Sequence, residues 1–289
     1  MHISDEIVGH VSKLTDKCGS ILSNAGIVHP KAQHAAPLPG AEVDSSVLAY
    51  LWLALEANFN IIVASERCSA CIVRLISRFI APYERTLDAI GGIGMMGDTN
   101  FTHVPSRAGI RMLAGIANKT IPDRIIACCH SRSEVGRLFS MSRYGSSFIA
   151  CIDSGFEGML PVRSLESERF GVRSRDISLL DCIVFAGWDG NRCSVNALTE
   201  YSWLDRWEIA RTDRHLKRYK NMGVVKEGAL DFGNIGESKL ARAYSDIHLT
   251  RKDDFVKELS GRSDFIKGLA PSMPCGNWYN TVGMYFDVR

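Results

Sequence analysis

The most constraining stretch of this chain is residues 49–82, AYLWLALEANFNIIVASERCSACIVRLISRFIAP. It opens on an apolar helix, passes the polar break Glu56-Ala57-Asn58, and enters the short apolar run Asn60-Ile61-Ile62-Val63-Ala64. A run of that length, rich in β-branched residues, predicts a buried strand. After a loop, a second apolar helix carries Ile72, Val73, Leu75, Ile76 and Phe79. Upstream, Asp44-Ser45-Ser46 supplies an N-cap for the first helix, which is expected to run through Leu55.

Strand, loop, helix is the layout in which backbone N–H groups and a helix N-terminus cradle a phosphate. A working loop of this kind has the form GxxxxGK[ST]: the glycines admit the phosphates, the lysine meets their charge, and the hydroxyl holds Mg²⁺. Here the positions are Ser65, Glu66, Arg67, Cys68, Ser69, Ala70, Cys71 and Ile72, without glycine or lysine. Glu66 would bring negative charge to a negative ligand. Shifting the alignment does not help, because no lysine occurs between Lys31 and Lys119. Two readings stay open from these residues: an ordinary βα unit, or a nucleotide site that has lost its chemistry.

The 289 residues suit one large domain or two small ones. A hydrophobic content of 46% and a charged content of 23% fit a soluble globular protein. No apolar run reaches the ~20 residues of a membrane span, and the N-terminus lacks the pattern of a signal peptide. A net charge of +2 gives no general argument for nucleic acid, so none is expected as a partner. Nine cysteines without a secretion signal predict reduced thiols and a cytoplasmic protein.

Along the chain, residues 3–25 predict an amphipathic helix, and the three prolines of residues 27–42 a linker. After residue 82, strands are expected at 86–90, 122–129, 147–152 and 179–185, with helices at 110–117, 134–141 and 162–170. The glycine-rich GGIGMMG at 91–97 reads as a loop. Residues 191–200 read as an edge strand after the Asp189-Gly190 turn. Alternating strands and helices predict a mainly parallel sheet covered on both faces. Beyond Trp203 a basic, aromatic segment with Trp207 and Tyr219 is either solvated surface or a contact with a partner subunit or an anionic surface. Helices follow at 241–247 and at 253–269, the latter a pair or one helix broken near Gly261. The organisation expected is residues 1–42 as N-terminal helix and linker, 43–204 as the α/β core, and 205–289 as a basic, mostly helical C-terminal region.

The order of these pieces resembles the motor ATPases of type II and type IV secretion systems, and most nearly archaeal pilus and archaellum motors. SSVLAYLWLALEANFNIIVAS resembles the helix and strand leading into the family's phosphate loop, and RFIAPYERTL the segment after it. IPDRIIACCHSRSEV resembles its Walker B segment, VRSLESERFGVRSRDISLLDCIVF its late Arg-Leu…Leu-Asp-x-x-Val-Phe segment, and VKELSGRSDFIKGL its final helices. The resemblance covers residue 40 to the C-terminus and implies a three-layer, RecA-like (P-loop NTPase-type) α/β fold with a helical C-terminal region. It also implies that the domain preceding the motor core is missing, or reduced to residues 1–40.

Against that pattern, the Walker A lysine falls at Cys71, or at Ser69 with a two-residue shift, and the Walker B glutamate at Cys129. The family's histidine segment falls on RYGSSFIACID, which has no histidine, and Asp88 is the acid near its Asp box. Arg107 and Arg111 stand either where the family's arginines reach a neighbouring subunit's phosphates or on plain solvated surface. The resemblance therefore implies an inactive homologue, a structural or regulatory subunit of a secretion or pilus system. Its partners would be an active secretion ATPase paralogue or the pilus membrane platform, in a homo- or hetero-oligomer. A weak, atypical ATPase using ATP and Mg²⁺ is one alternative.

The cysteines carry another. Cys68 and Cys71 sit in the loop, and Cys128 and Cys129 end the Walker B strand. If those strand ends are neighbours, four thiols converge near His130 as a zinc, iron–sulfur or redox site. Against it, consecutive residues of a strand point to opposite faces, and small cysteines also serve as core filler.

Overall fold

The computed structural model describes residues 41–65, 70–81, 84–90, 101–103, 115, 117, 119–153, 165, 171–189, 192–203, 219–269 and 285. The expected N-terminal helix and linker up to residue 40, the glycine-rich run at 91–97, most of the helices at 110–117 and 162–170, and the basic residues 206–218 lie outside them.

Helix α1 (Ser45–Glu56) starts at the N-cap Asp44, whose side chain accepts the Ser46 amide at 2.8 Å. Every residue from Val47 to Leu55 is buried. A helix apolar all round lies within the core rather than on it, and each Leu-sized side chain so buried contributes about 1.5–3 kcal/mol. Short β1 (Ala41–Glu42) precedes it, and β2 (Ile61–Ser65) follows with all five residues buried. Helix α2 (Ala70–Ser77) comes next, burying Ile72, Val73, Ile76 and Ser77.

The remaining elements are β3 (Thr86–Asp88), β4 (Phe101–His103), β5 (Arg124–Cys129), α3 (Arg132–Ser142), β6 (Ser147–Asp153), α4 (Ser174–Ile177) and β7 (Cys182–Asp189). They continue with β8 (Arg192–Trp203), β9 (Tyr219–Lys226), β10 (Ala229–Leu230), α5 (Phe232–Ile235), α6 (Lys239–His248) and α7 (Lys252–Gly268). Among the described residues, ten strands form one sheet in the order β10-β9-β8-β7-β2-β6-β5-β3-β4, with β1 paired to β8. From β7 to β4 every pairing is parallel; β8, β9 and β10 join antiparallel. The fold is thus mixed α/β on a mostly parallel sheet.

An apolar core lies on each face. One gathers α1 and α2 with Ile61, Val63, Ile126, Ile149 and Cys151, and extends to Leu240, Phe255 and Leu259 of the last helices. The other packs Val135, Leu138 and Phe139 of α3 on Ile62, Ile125, Phe148 and Ala150. Side chains of successive strand residues fall into the two cores in turn, as a pleated strand requires.

Two expectations change. Strand β8 is not an edge: β7 flanks it on one side, β9 and β1 on the other. Its polar residues suggested solvent, but Glu200 is buried, with a carboxylate that accepts the Lys239 and Leu240 amides at the start of α6. Beyond residue 204 the described elements are mostly helical, with β9 and β10 extending the sheet. Helix α7 runs unbroken through Gly261, because Glu258 and Arg262 bracket that residue with a buried ion pair at 2.8 Å. That pair, with packing of Phe255, Leu259 and Ile266, outweighs the ~1 kcal/mol an interior glycine costs.

Candidate functional site

The chain leaves β2 through α2 toward β3, which lies beyond β6 and β5; it later leaves β6 toward β7, on the far side of β2. Adjacent strands whose connections depart in opposite directions mark the point where open α/β sheets bind ligands, outside the carboxyl ends. Here that point lies between β2 and β6, where Ser65 pairs in register with Asp153. Sequence and topology converge on it.

Ser65, at the end of β2, is buried, with 4% of its surface exposed. Glu66, Arg67, Cys68 and Ser69 lie outside the described residues, as do Arg107 and Arg111. Ala70 opens α2, Cys71 is half-buried against the core beneath α1, and Ile72 is fully buried in it. Cys71 stands where a phosphate-binding lysine is expected, and its side chain packs inward.

The end of β5 was expected beside the end of β2. Instead β6 lies between them, hydrogen-bonded to both. A further separation follows from the pleat: Cys128 packs on the core shared with Cys71, whereas Cys129 is fully buried in the opposite one. Burial pushes the Cys129 thiol well up, helped by the nearby Glu134 and Cys128. A thiol so placed stays protonated, and only thiolate binds metal or acts as a nucleophile. Among the described residues no group of three or more His, Cys, Asp or Glu is placed to hold a metal ion.

Two acids near this edge, Glu134 and Asp88, have a visible structural task. Glu134 accepts the backbone N–H of His130 at 2.7 Å and of Ser131 at 2.9 Å, closing a capping box at the start of α3. The spacing Ser131-x-x-Glu134 announces it in the sequence. Asp88, buried at the end of β3, accepts the Ile90 amide at 2.8 Å. Asp88 is also in register with His103 of β4 and Ile126 of β5. Sequence reasoning missed Cys151, which stands level with Cys128 on one side and Val63 on the other; no local signal reveals a register partner.

Comparison with solved structures finds remote likenesses. The chain is similar to the VirB11 ATPase from the Brucella suis type IV secretion system, solved in complex with sulphate, with a TM-score of 0.42 and 17% identity. That match covers 53% of this chain and 51% of the other. The chain is also similar to the Yersinia pseudotuberculosis ATPase DotB, with a TM-score of 0.44 and 12% identity over 85% of this chain and 64% of that one. It therefore spans about half of the first protein and under two thirds of the second. No family model matches the chain, and no curated protein does. Among the described residues, no helix is long and apolar enough to cross a membrane.

Proposed function

We propose that this chain is a secretion-motor ATPase homologue with a three-layer, RecA-like core whose nucleotide site has decayed, and that it acts as a structural or regulatory subunit. One observation carries the reading: of the residues that the resemblance sets at the positions of the lysine (Cys71, or Ser69) and the glutamate (Cys129) of phosphoryl transfer, Cys71 packs against the core and Cys129 is sealed within it. Phosphoryl transfer depends on positioning and on charge stabilisation by Lys, Mg²⁺ and a water-orienting acid. A thiol packed against the core supplies none of these, and each ~1.4 kcal/mol of lost stabilisation costs a decade of rate. The switch point at the carboxyl ends of β2 and β6 supports descent from a ligand-binding scaffold.

The partners this reading assigns are an active motor paralogue or the membrane platform of a pilus, met in a mixed or homomeric assembly on the cytoplasmic side. Calorimetric titration of the reduced protein with ATP and ADP, with and without Mg²⁺, tests it. No heat of binding up to millimolar nucleotide is expected. Micromolar binding followed by Mg²⁺-dependent turnover overturns the decayed site. Separately, affinity purification from the native cell that recovers no motor or pilus component overturns the subunit role.

A further inference from the structure

We propose that Cys128 and Cys151 are a hydroperoxide-sensitive thiol pair that closes to a reversible disulfide across β5 and β6. The inference is independent of whether the nucleotide site is alive or dead. Its basis is register. Strands β5 and β6 run parallel with Cys128 directly beside Cys151, between the pairs Ala127–Ala150 and Cys129–Ile152. Both side chains lie on one face: Cys151 belongs to the core beneath α1 and α2, and Cys128 packs against that same core. Ala127, Ala150, Cys129 and Ile152 all belong to the opposite core.

Neighbouring strands lie about 4.8 Å apart, inside the ~4.4–6.8 Å span of Cα atoms that a disulfide bridges. Side chains one strand spacing apart exceed the ~3.8 Å between Cβ atoms of a relaxed disulfide, so closure draws the strands together. A bond under that tension is readily reduced, the property of labile rather than structural disulfides.

The two thiols differ in access, which divides the chemistry. Cys128 is half-buried at the carboxyl edge, whereas Cys151 is 1% exposed. The Cys128 thiolate attacks the terminal oxygen of a small hydroperoxide; the O–O bond breaks, water or alcohol leaves, and a sulfenic acid forms. The Cys151 proton passes to the sulfenic oxygen, and the thiolate so formed attacks the Cys128 sulfur; the S–S bond forms, S–O breaks, and the oxygen leaves as water. Two thiols lose two electrons and two protons, and the hydroperoxide is reduced to water and water or alcohol. Cys129 is excluded, since it faces the other core.

Mass spectrometry of the full chain tests the pair, after brief treatment with hydrogen peroxide, alkylation and digestion without reductant. The expected product is a peptide linking Cys128 to Cys151, lost on treatment with dithiothreitol. In Cys128→Ser, a half-buried and near-isosteric change, Cys151 is expected to remain a thiol under the same dose. In Cys151→Ala, Cys128 is expected to proceed to the sulfinic acid. A dominant link from Cys128 to Cys71 overturns the proposal. So does wild-type Cys128 reaching the sulfinic acid while Cys151 stays alkylatable after unfolding.

Discussion

Arg262 and Glu56, 206 positions apart, meet in a two-pronged hydrogen bond, Nη1 to Oε1 at 2.6 Å and Nη2 to Oε2 at 2.7 Å. The same guanidinium donates from Nε to Glu258 at 2.8 Å and lies 4.4 Å from the ring centre of Trp52. Its side chain is almost wholly buried. The contact fastens α7 to the end of α1, so the C-terminal helix is part of the core. Removing one partner of a buried pair leaves the other charge uncompensated. Arg262→Ala is expected to lose about 3–5 kcal/mol in urea unfolding. Arg262→Lys, which keeps the charge but not the fork or the stacking, should fall between; wild-type stability in the lysine variant contradicts this.

Asn60 joins three strands at the amino edge of the sheet. Its amide N–H donates to Asp181 at 2.7 Å, its side-chain nitrogen to the Leu179 carbonyl at 2.7 Å, and its side-chain oxygen accepts from the Phe148 amide at 3.0 Å. Asn60→Ala strips partners from a buried N–H and a carbonyl, and should cost about 2–3 kcal/mol. Hydrogen exchange should locate the loss, with faster exchange at the Phe148 amide than at amides of β9.

Burial raises the pKa of Glu200, against hydrogen bonds from Tyr50, Lys239 and Leu240 that lower it. For a carboxyl whose folded value exceeds its unfolded one, the folded state holds the proton more tightly. Its stabilising contribution is therefore full below the unfolded pKa and lost as pH rises through the folded one. Unfolding of wild type and Glu200→Gln across mildly acidic pH should show the wild-type advantage shrinking as pH rises. An advantage that grows with pH would reverse the sign.

Leu249 closes α6 in the left-handed region, φ 53°, and is 92% exposed. Glycine adopts that conformation without a Cβ penalty of about 1–2 kcal/mol, and little packing is lost. Leu249→Gly should raise the melting temperature, with a gain near 1 kcal/mol. An unchanged or lower value would show that Leu249 contributes more than its exposure suggests.

Much of the core was legible in residues 45–80, because a helix and a strand with few polar positions have one place to go. The strands at 86, 124, 147 and 182 followed from short β-branched runs bounded by turns. The role of β8 did not, since Glu200 looks like a solvent residue until α6 supplies the amide groups it caps. Helix α7 was obscured by Gly261, whose cost is repaid by pairs that the linear order shows but does not rank.

The candidate site divides the same way. The sequence by itself determined that the loop after β2 lacks glycine and lysine, since residue identity needs no fold. Only the tertiary structure decided which thiols stand level. Cys128 and Cys129 are adjacent in the chain yet face opposite cores, while Cys128 and Cys151 are level on neighbouring strands. The cause is the pleat and the register: side chains alternate along a strand, and which residue of the next strand stands level is fixed by sheet pairing.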